Sequence, residues 1–271
     1  MDKIVQEFGP RPIVPVRPSE VREWTARLRE HYAQRTVSSF CRTLVQVFAD
    51  AAHDGVIQRS PCSRRTSPPI ARQQPVIAST EQVWALYEVM DERTRVAVSL
   101  GAFVGLRAAE TCGPRVADID FMRGVVTPAV QYPAQPLKTE MSRTAVPIPA
   151  ELSLLLSEQV RQRPAATLLT DAHDQQLTLT ARSVAFRAAR AKVDGLPAGF
   201  RFRDLRHYFA SLLIASGADV KVVQAGLCHA SAVTTLDTYG HLWPDSDQST
   251  RAAVAAVFTA RADLARTGGG L

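Results

Sequence analysis

Four prolines and four arginines crowd residues 59–78: Pro61, Pro68, Pro69 and Pro75, with Arg59, Arg64, Arg65 and Arg72. No helix runs through such spacing, because each proline removes a backbone donor and clashes with the turn before it. The stretch reads as an extended basic linker. It divides the chain into two blocks that must each bury a core. A linker of this composition either tracks an anionic backbone or is an exposed tether, and composition alone leaves both readings standing.

The block before it is short. Residues 1–18 hold Pro10, Pro12, Pro15 and Pro18 and read as an extended lead-in. A helix is expected from an N-cap at Ser19, with Glu20 and Glu23 at its positive end and Val21, Trp24, Leu28 and Tyr32 on one face. A second is expected from about Thr36, with Val37, Phe40, Leu44, Val47, Phe48 and Ala51 inward, ending at Asp54-Gly55. Residues 19–58 thus read as a small, truncated helical domain with Arg35, Arg42 and Arg59 on its outer face and loops.

Charge separates the blocks. The 271 residues carry a net charge of +6. Residues 1–77 hold 12 Lys/Arg against 7 Asp/Glu, and residues 78–271 hold 20 against 19. The first third is therefore the better candidate for gripping an anion. No apolar run approaches the roughly 20 residues of a membrane span. Asp2, Lys3, Gln6 and Glu7 break any signal-peptide core. Cys41, Cys62, Cys112 and Cys228 are scattered, which suits reduced thiols in a cytoplasm.

The block after the linker, 79–271, opens with a helix from Thr80, with Val83, Trp84, Leu86 and Tyr87 as core candidates, and a very apolar helix over 91–104. Gly105-Leu106-Arg107-Ala108-Ala109-Glu110 comes next. Arg107 and Glu110 lie one turn apart, so they pair on the surface or share a site. After Pro114 the period changes. Met122-Arg123-Gly124 reads as a hairpin turn between Val116–Phe121 and Val125–Pro128. Lys138 sits near the tip of a second β-turn before the strand-like Thr144–Ile148. Helices are expected again from Pro149, from about Thr180 to Val193, over Leu205–Leu213 (with Phe209 and Leu212 inward), from Asp219, from Ser231, and over 249–266 with Val254, Val257, Phe258 and Leu264. The fold class is mainly α with small β-hairpins, an α+β arrangement.

The chemistry gathers in Phe200–His241. Arg203-Asp204-Leu205-Arg206-His207, then Gly226-Leu227-Cys228-His229-Ala230-Ser231, then Thr235–His241 put guanidinium, imidazole and phenol groups into about forty residues. Arginine offers a planar fork matched to phosphate oxygens. Tyrosine serves as a covalent nucleophile when its target is stabilised. No acidic run suggests a Mg²⁺ site, so cationic side chains would do that work. A zinc site from His207, His229 and His241 lacks an obvious fourth ligand.

These residues also resemble a family. Gly105–Glu110 resembles the first arginine motif of the tyrosine recombinases, or phage integrases. Arg203–His207 resembles their H-x-L-R-H box, Gly226–Ser231 their L-G-H-x-S box, and Thr234–His241 their closing T-x-x-x-Y-x-H. The order and spacing agree over about residues 19–265, in the style of integrases of actinobacterial phages and mobile elements. The resemblance implies that Tyr239 attacks to form a 3′-phosphotyrosyl link. Arg107 and Arg206 would clamp the phosphate, Lys138 would protonate the leaving 5′-oxygen, and His229 would support the developing charge. Glu110, His207 and His241 would support from behind, His207 as a packed residue. It further implies two halves closing around duplex attachment-site DNA, a tetramer on DNA joined through the C-terminal helix, a possible need for a directionality factor, and no metal, ATP or other cofactor. There is no room in 271 residues for an arm-binding domain, so a minimal or excised integrase is expected.

Arg203 departs from the pattern, which has histidine there. A guanidinium cannot act as a base at neutral pH, so its role is electrostatic or catalysis is weakened. Two alternatives accompany the integrase reading: a resolvase or type IB topoisomerase relative, and a catalytically silent DNA-binding protein on the same scaffold.

Overall fold

Apolar spacing of three and four residues builds the first of two units, residues 1–73, with the second covering 74–271. The structure is a computed structural model that describes residues 2–14, 16–63, 66, 74–133, 135–137, 143–243, 251 and 254–259. Lys138, Arg64, Arg65 and Arg72 lie outside the described residues.

In the first unit, α1 (Asp2–Phe8), α2 (Pro18–His31) and α3 (Gln34–His53) enclose Val21, Trp24, Leu28, Val37, Leu44 and Phe48. The lead-in is therefore not extended throughout. Ile4 and Phe8 fall one turn apart, Ile4 is buried, and Phe8 packs edge-on against Trp24 and Phe48 at 5.3 and 6.3 Å. That burial holds a short helix that propensity alone would not. α2 begins with Pro18 at its first position rather than with Ser19 as cap. Proline's fixed φ suits that site, and Glu20 accepts the Arg17 N–H at 2.7 Å. Gly55 ends α3 at φ +73, as the Asp54-Gly55 pair predicts. Val47 points outward. Within the stretch read as a linker, Pro61 and Thr66 are buried, and the Thr25 hydroxyl donates to the Thr66 carbonyl at 3.3 Å. Arg35, Arg42 and Arg59 are exposed.

The second unit starts at α4 (Thr80–Val89), capped by Ser79 and Gln82. Next comes α5 (Val96–Phe103), buried nearly all round. Among the described residues, short strands come after it: β1 (Ile119–Asp120), β2 (Val125–Val126), β3 (Val130–Gln131), β4 (Gln135–Pro136) and β5 (Val146–Pro147). They form an antiparallel β1-β2-β5 sheet and a β3-β4 hairpin. Gly124 at φ +61 makes the β1-β2 turn, whose N–H groups at Met122 and Arg123 donate to Asp120. Then come α6 (Ala150–Gln162), α7 (Leu179–Arg190), α8 (Asp204–Ala215), α9 (Val220–Gly226) and α10 (Ala232–Tyr239). Residues 254–259 are helical. This is the expected α+β architecture. No described helix is long and apolar enough to cross a membrane.

Two glycines set how closely α5 and the turn after it approach α8. Gly101 brings α5 against Leu205 of α8. Gly105, at φ +71, lies where a Cβ would run into the Phe209 ring. Glycine is thus needed at Gly105 both for its backbone and for its bareness. Trp84 and Leu212, read from periodicity as core, are instead 41 % exposed and line an open apolar groove of about 610 Å³ with Phe103, Leu155, Phe209 and Val222.

Candidate active site

Arg107 stands just beyond α5 and the Gly105 turn. Its terminal nitrogen donates to Glu110 at 2.7 Å and its backbone N–H to the other carboxylate oxygen at 2.8 Å. Glu110 is buried, so this is a positioned pair rather than a loose surface one. The second terminal nitrogen donates to the Cys228 carbonyl at 3.2 Å, 121 residues away. That carbonyl is aimed by Cys228 at φ +46, a conformation uncommon outside glycine.

Arg206, in the first turn of α8, donates through both terminal nitrogens, to the carbonyls of Gly105 and Leu227. One side chain thus ties the Arg107 turn to the end of α9. Burial, and then the neighbouring Arg107, pull its pKa down to about 10. It remains a cation at neutral pH.

Tyr239 ends α10 and is buried, at 2 % exposure. Its hydroxyl lies 2.7 Å from Nδ1 of His207, with the rings edge to face. Burial raises its pKa to about 12, against the lowering influence of Arg206. His207 Nε2 lies 3.8 Å from Asp204. Burial lowers the His207 pKa, and Asp204 offsets part of that. His229 shares a hydrogen bond with the Thr235 hydroxyl at 3.0 Å. Burial, with Arg206 and Arg107, lowers it to about 4. Both imidazoles are neutral near pH 7.

The structure therefore brings together Arg107, Glu110, Arg206, His207, His229 and Tyr239. It leaves two candidates at the margin. Arg203 is half exposed at the N-terminus of α8, 3.4 Å from Asp204. His241 is exposed in the 3-10 turn Gly240–Leu242. The three imidazoles weighed for zinc do not group, and no three His, Cys, Asp or Glu among the described residues could hold a metal ion. Sequence reasoning missed Thr235 and Asp204, although each stands within one of the site's sequence motifs. It also placed His207 behind the site, whereas His207 touches the Tyr239 oxygen.

Two cations fixed by carbonyls and a carboxylate, two neutral imidazoles and one buried phenol make a site suited to an oxyanion. Residues 78–245 match the model of the phage integrase family. A tyrosine recombinase of Thermosipho africanus is 27 % identical over 214 residues, covering 74 % of this chain and 70 % of its own length. The tyrosine recombinase XerC of Mycobacterium tuberculosis is 29 % identical over 235 residues, covering 83 % and 78 %. Among solved structures, the Tn1549 transposon integrase in complex with transposon right end DNA shares the fold at a TM-score of 0.77 and 20 % identity, covering 91 % of this chain and 87 % of that one. The chain belongs to the phage integrase family, and it is a tyrosine recombinase, a DNA breaking–rejoining enzyme.

Proposed function

We propose that this protein is an integrase that cuts duplex DNA at specific attachment sites, holds the broken end on Tyr239, and rejoins it to a partner strand, so integrating or excising a mobile element. The observation that carries this is the convergence of Arg107, Arg206, His229 and Tyr239, drawn from four separated motifs, around the carbonyls that anchor the two arginines. Duplex DNA as partner accords with the DNA-bound state of the Tn1549 integrase structure.

In this reading Arg107 and Arg206 bind the non-bridging oxygens of the scissile phosphate and gain strength as charge builds in the transition state. One such donor is worth about 2.7–4 kcal/mol. With Nδ1 accepting from the Thr235 hydroxyl, neutral His229 presents its other nitrogen as a donor. Tyr239 attacks phosphorus, the 5′-oxygen leaves with a proton from Lys138, and a 3′-phosphotyrosyl link remains. The bond energy stays in that link, so rejoining needs neither ATP nor metal. Arg203 acts through its charge and not as a base. The exposed arginines Arg35, Arg42 and Arg59, with Arg64, Arg65 and Arg72, contribute backbone contacts that weaken as salt rises. The reaction takes place on DNA in the cytoplasm.

The assembly on DNA is a homo-oligomer, with a tetramer as the complete form. Its support is a pair of exposed apolar surfaces among the described residues: the groove at Trp84 and Leu212, and Val254, Val257 and Phe258, which are 52 %, 69 % and 69 % exposed on one short helical stretch. Exposed apolar faces of that kind favour association.

The test is selection followed by reaction. Nicked duplexes of randomised sequence are incubated with the full chain, and those captured covalently are sequenced. The enriched duplex is then supplied in two distinguishable copies. Strand exchange between them, through protein linked at a 3′-end, is expected. Capture without sequence enrichment would favour a topoisomerase-like activity. Binding without capture would favour a silent scaffold.

A further inference from the structure

A phenol whose pKa stands at about 12 is protonated at neutral pH, so its attack needs a proton acceptor. Arg203 cannot supply one. Among the described residues, the titratable nitrogen in contact with the phenol oxygen is Nδ1 of His207, at 2.7 Å.

We propose that His207 is the general base for Tyr239, with Asp204 steadying the imidazole from its far side. This rests on Tyr239 being the nucleophile. As the Oη–P bond forms, the phenol proton passes to Nδ1. The P–O5′ bond breaks with its electron pair on O5′, which takes a proton from Lys138. In rejoining, the attacking 5′-hydroxyl returns a proton to Lys138, and the imidazolium returns the first proton to the departing phenolate. Each round is thus balanced.

The geometry fits a base better than a mere prop. With Nδ1 accepting, the ring proton sits on Nε2, which faces the Asp204 carboxylate at 3.8 Å. An imidazolium formed during attack would be drawn toward that carboxylate. Asp204 is itself held by the Arg201 N–H at 2.6 Å and is buried. The charged and titratable groups around His207 are Asp204, Arg203 and Arg206 at the start of α8, His229 after α9, and Tyr239 on α10. Of these, Asp204 favours the protonated ring and Arg203 and Arg206 oppose it. The cations and burial keep it neutral until a proton arrives. A phosphodiester bound between the arginines offsets part of their opposition.

The experiment measures single-turnover adduct formation on the duplex enriched by capture, with sulfur replacing the bridging 5′-oxygen. A thiolate leaves without a proton, so the rate reports activation of the nucleophile alone. His207→Asn is expected to bind this duplex as wild type does, yet to form adduct about 10²–10⁴-fold more slowly. Its rate should climb steadily with pH, where the wild type climbs and then levels. Lys138→Ala should recover on this substrate, and His207→Asn should not. Adduct formation by His207→Asn within about threefold of wild type, with the wild-type pH profile, overturns the inference and leaves the nucleophile assignment standing. Absence of any Tyr239 adduct from wild type overturns both. Should His207→Asn fail to bind, the wild-type profile decides: levelling supports the base, and an unbroken climb excludes it.

Discussion

Replacing Arg206 by alanine should silence the enzyme without unfolding it. The guanidinium makes two bonds, to the Gly105 and Leu227 carbonyls, which are both buried. Stranding two buried acceptors costs about 1–3 kcal/mol each. Against this, the fall in the arginine pKa from 12.5 to about 10 reflects the cost of burying its charge. That cost is at most about 3 kcal/mol, and less where water reaches the group. Removing the charge recovers it; recovered in full, it brings the loss of about 2–6 kcal/mol down to about −1 to 3 kcal/mol. Catalysis has no such offset. The Nε–H and one hydrogen on each terminal nitrogen are not used by those carbonyls, and losing a phosphate donor costs about 2.7–4 kcal/mol, or 10²–10³-fold in rate. Urea unfolding gives the first quantity, and single-turnover adduct formation on captured duplex gives the second. Arg206→Lys should also be slow, because one ammonium cannot serve two carbonyls and a phosphate fork together. Adduct formation by Arg206→Ala within about threefold of wild type would refute the clamp.

Gly105→Ala should destabilise by about 2–5 kcal/mol, since it combines a left-handed backbone at φ +71 with a Cβ 2.8 Å from Phe209 Cε1; an unchanged urea midpoint would count against that packing. His229 holds a folded pKa of about 4 below its ordinary 6.5, so the unfolded chain binds that proton first. The stability His229 contributes is complete above about pH 6.5 and is lost as pH falls toward 4. His229→Gln should flatten the decline in urea midpoint between about pH 7 and about pH 5, and an unaltered slope would assign it elsewhere. Leu212→Glu should leave the fold intact and weaken self-association on DNA, read by sedimentation; association equal to wild type would remove the groove from the assembly.

The sequence was most legible where structure is local. Asp219 and Ser231 cap the helices that begin after them, and Gly124 turns the hairpin, because each acts through its own backbone neighbourhood. The site was legible as a set of residue types in order. What joins them was not. The bonds from Arg206 to Gly105 and from Arg107 to Cys228 span more than a hundred residues. So His207 read as packing, although tertiary structure sets it against Tyr239. Periodicity told which side of a helix is apolar but not what covers it. Trp84 and Leu212 were therefore assigned to a core, whereas they face a groove. In α1 the Ile4–Phe8 spacing was present, but the prolines from Pro10 onward dominated the reading.

The central claim is that Tyr239 carries the DNA. The direct measurement is to trap the adduct on nicked, captured duplex, digest the protein, and identify the nucleotide-bearing peptide by mass spectrometry, with Tyr239→Phe alongside. The expected result is one modified residue, Tyr239, linked to a 3′-phosphate, and no adduct from Tyr239→Phe. A DNA-linked peptide lacking Tyr239, or an adduct that persists in Tyr239→Phe, would contradict it.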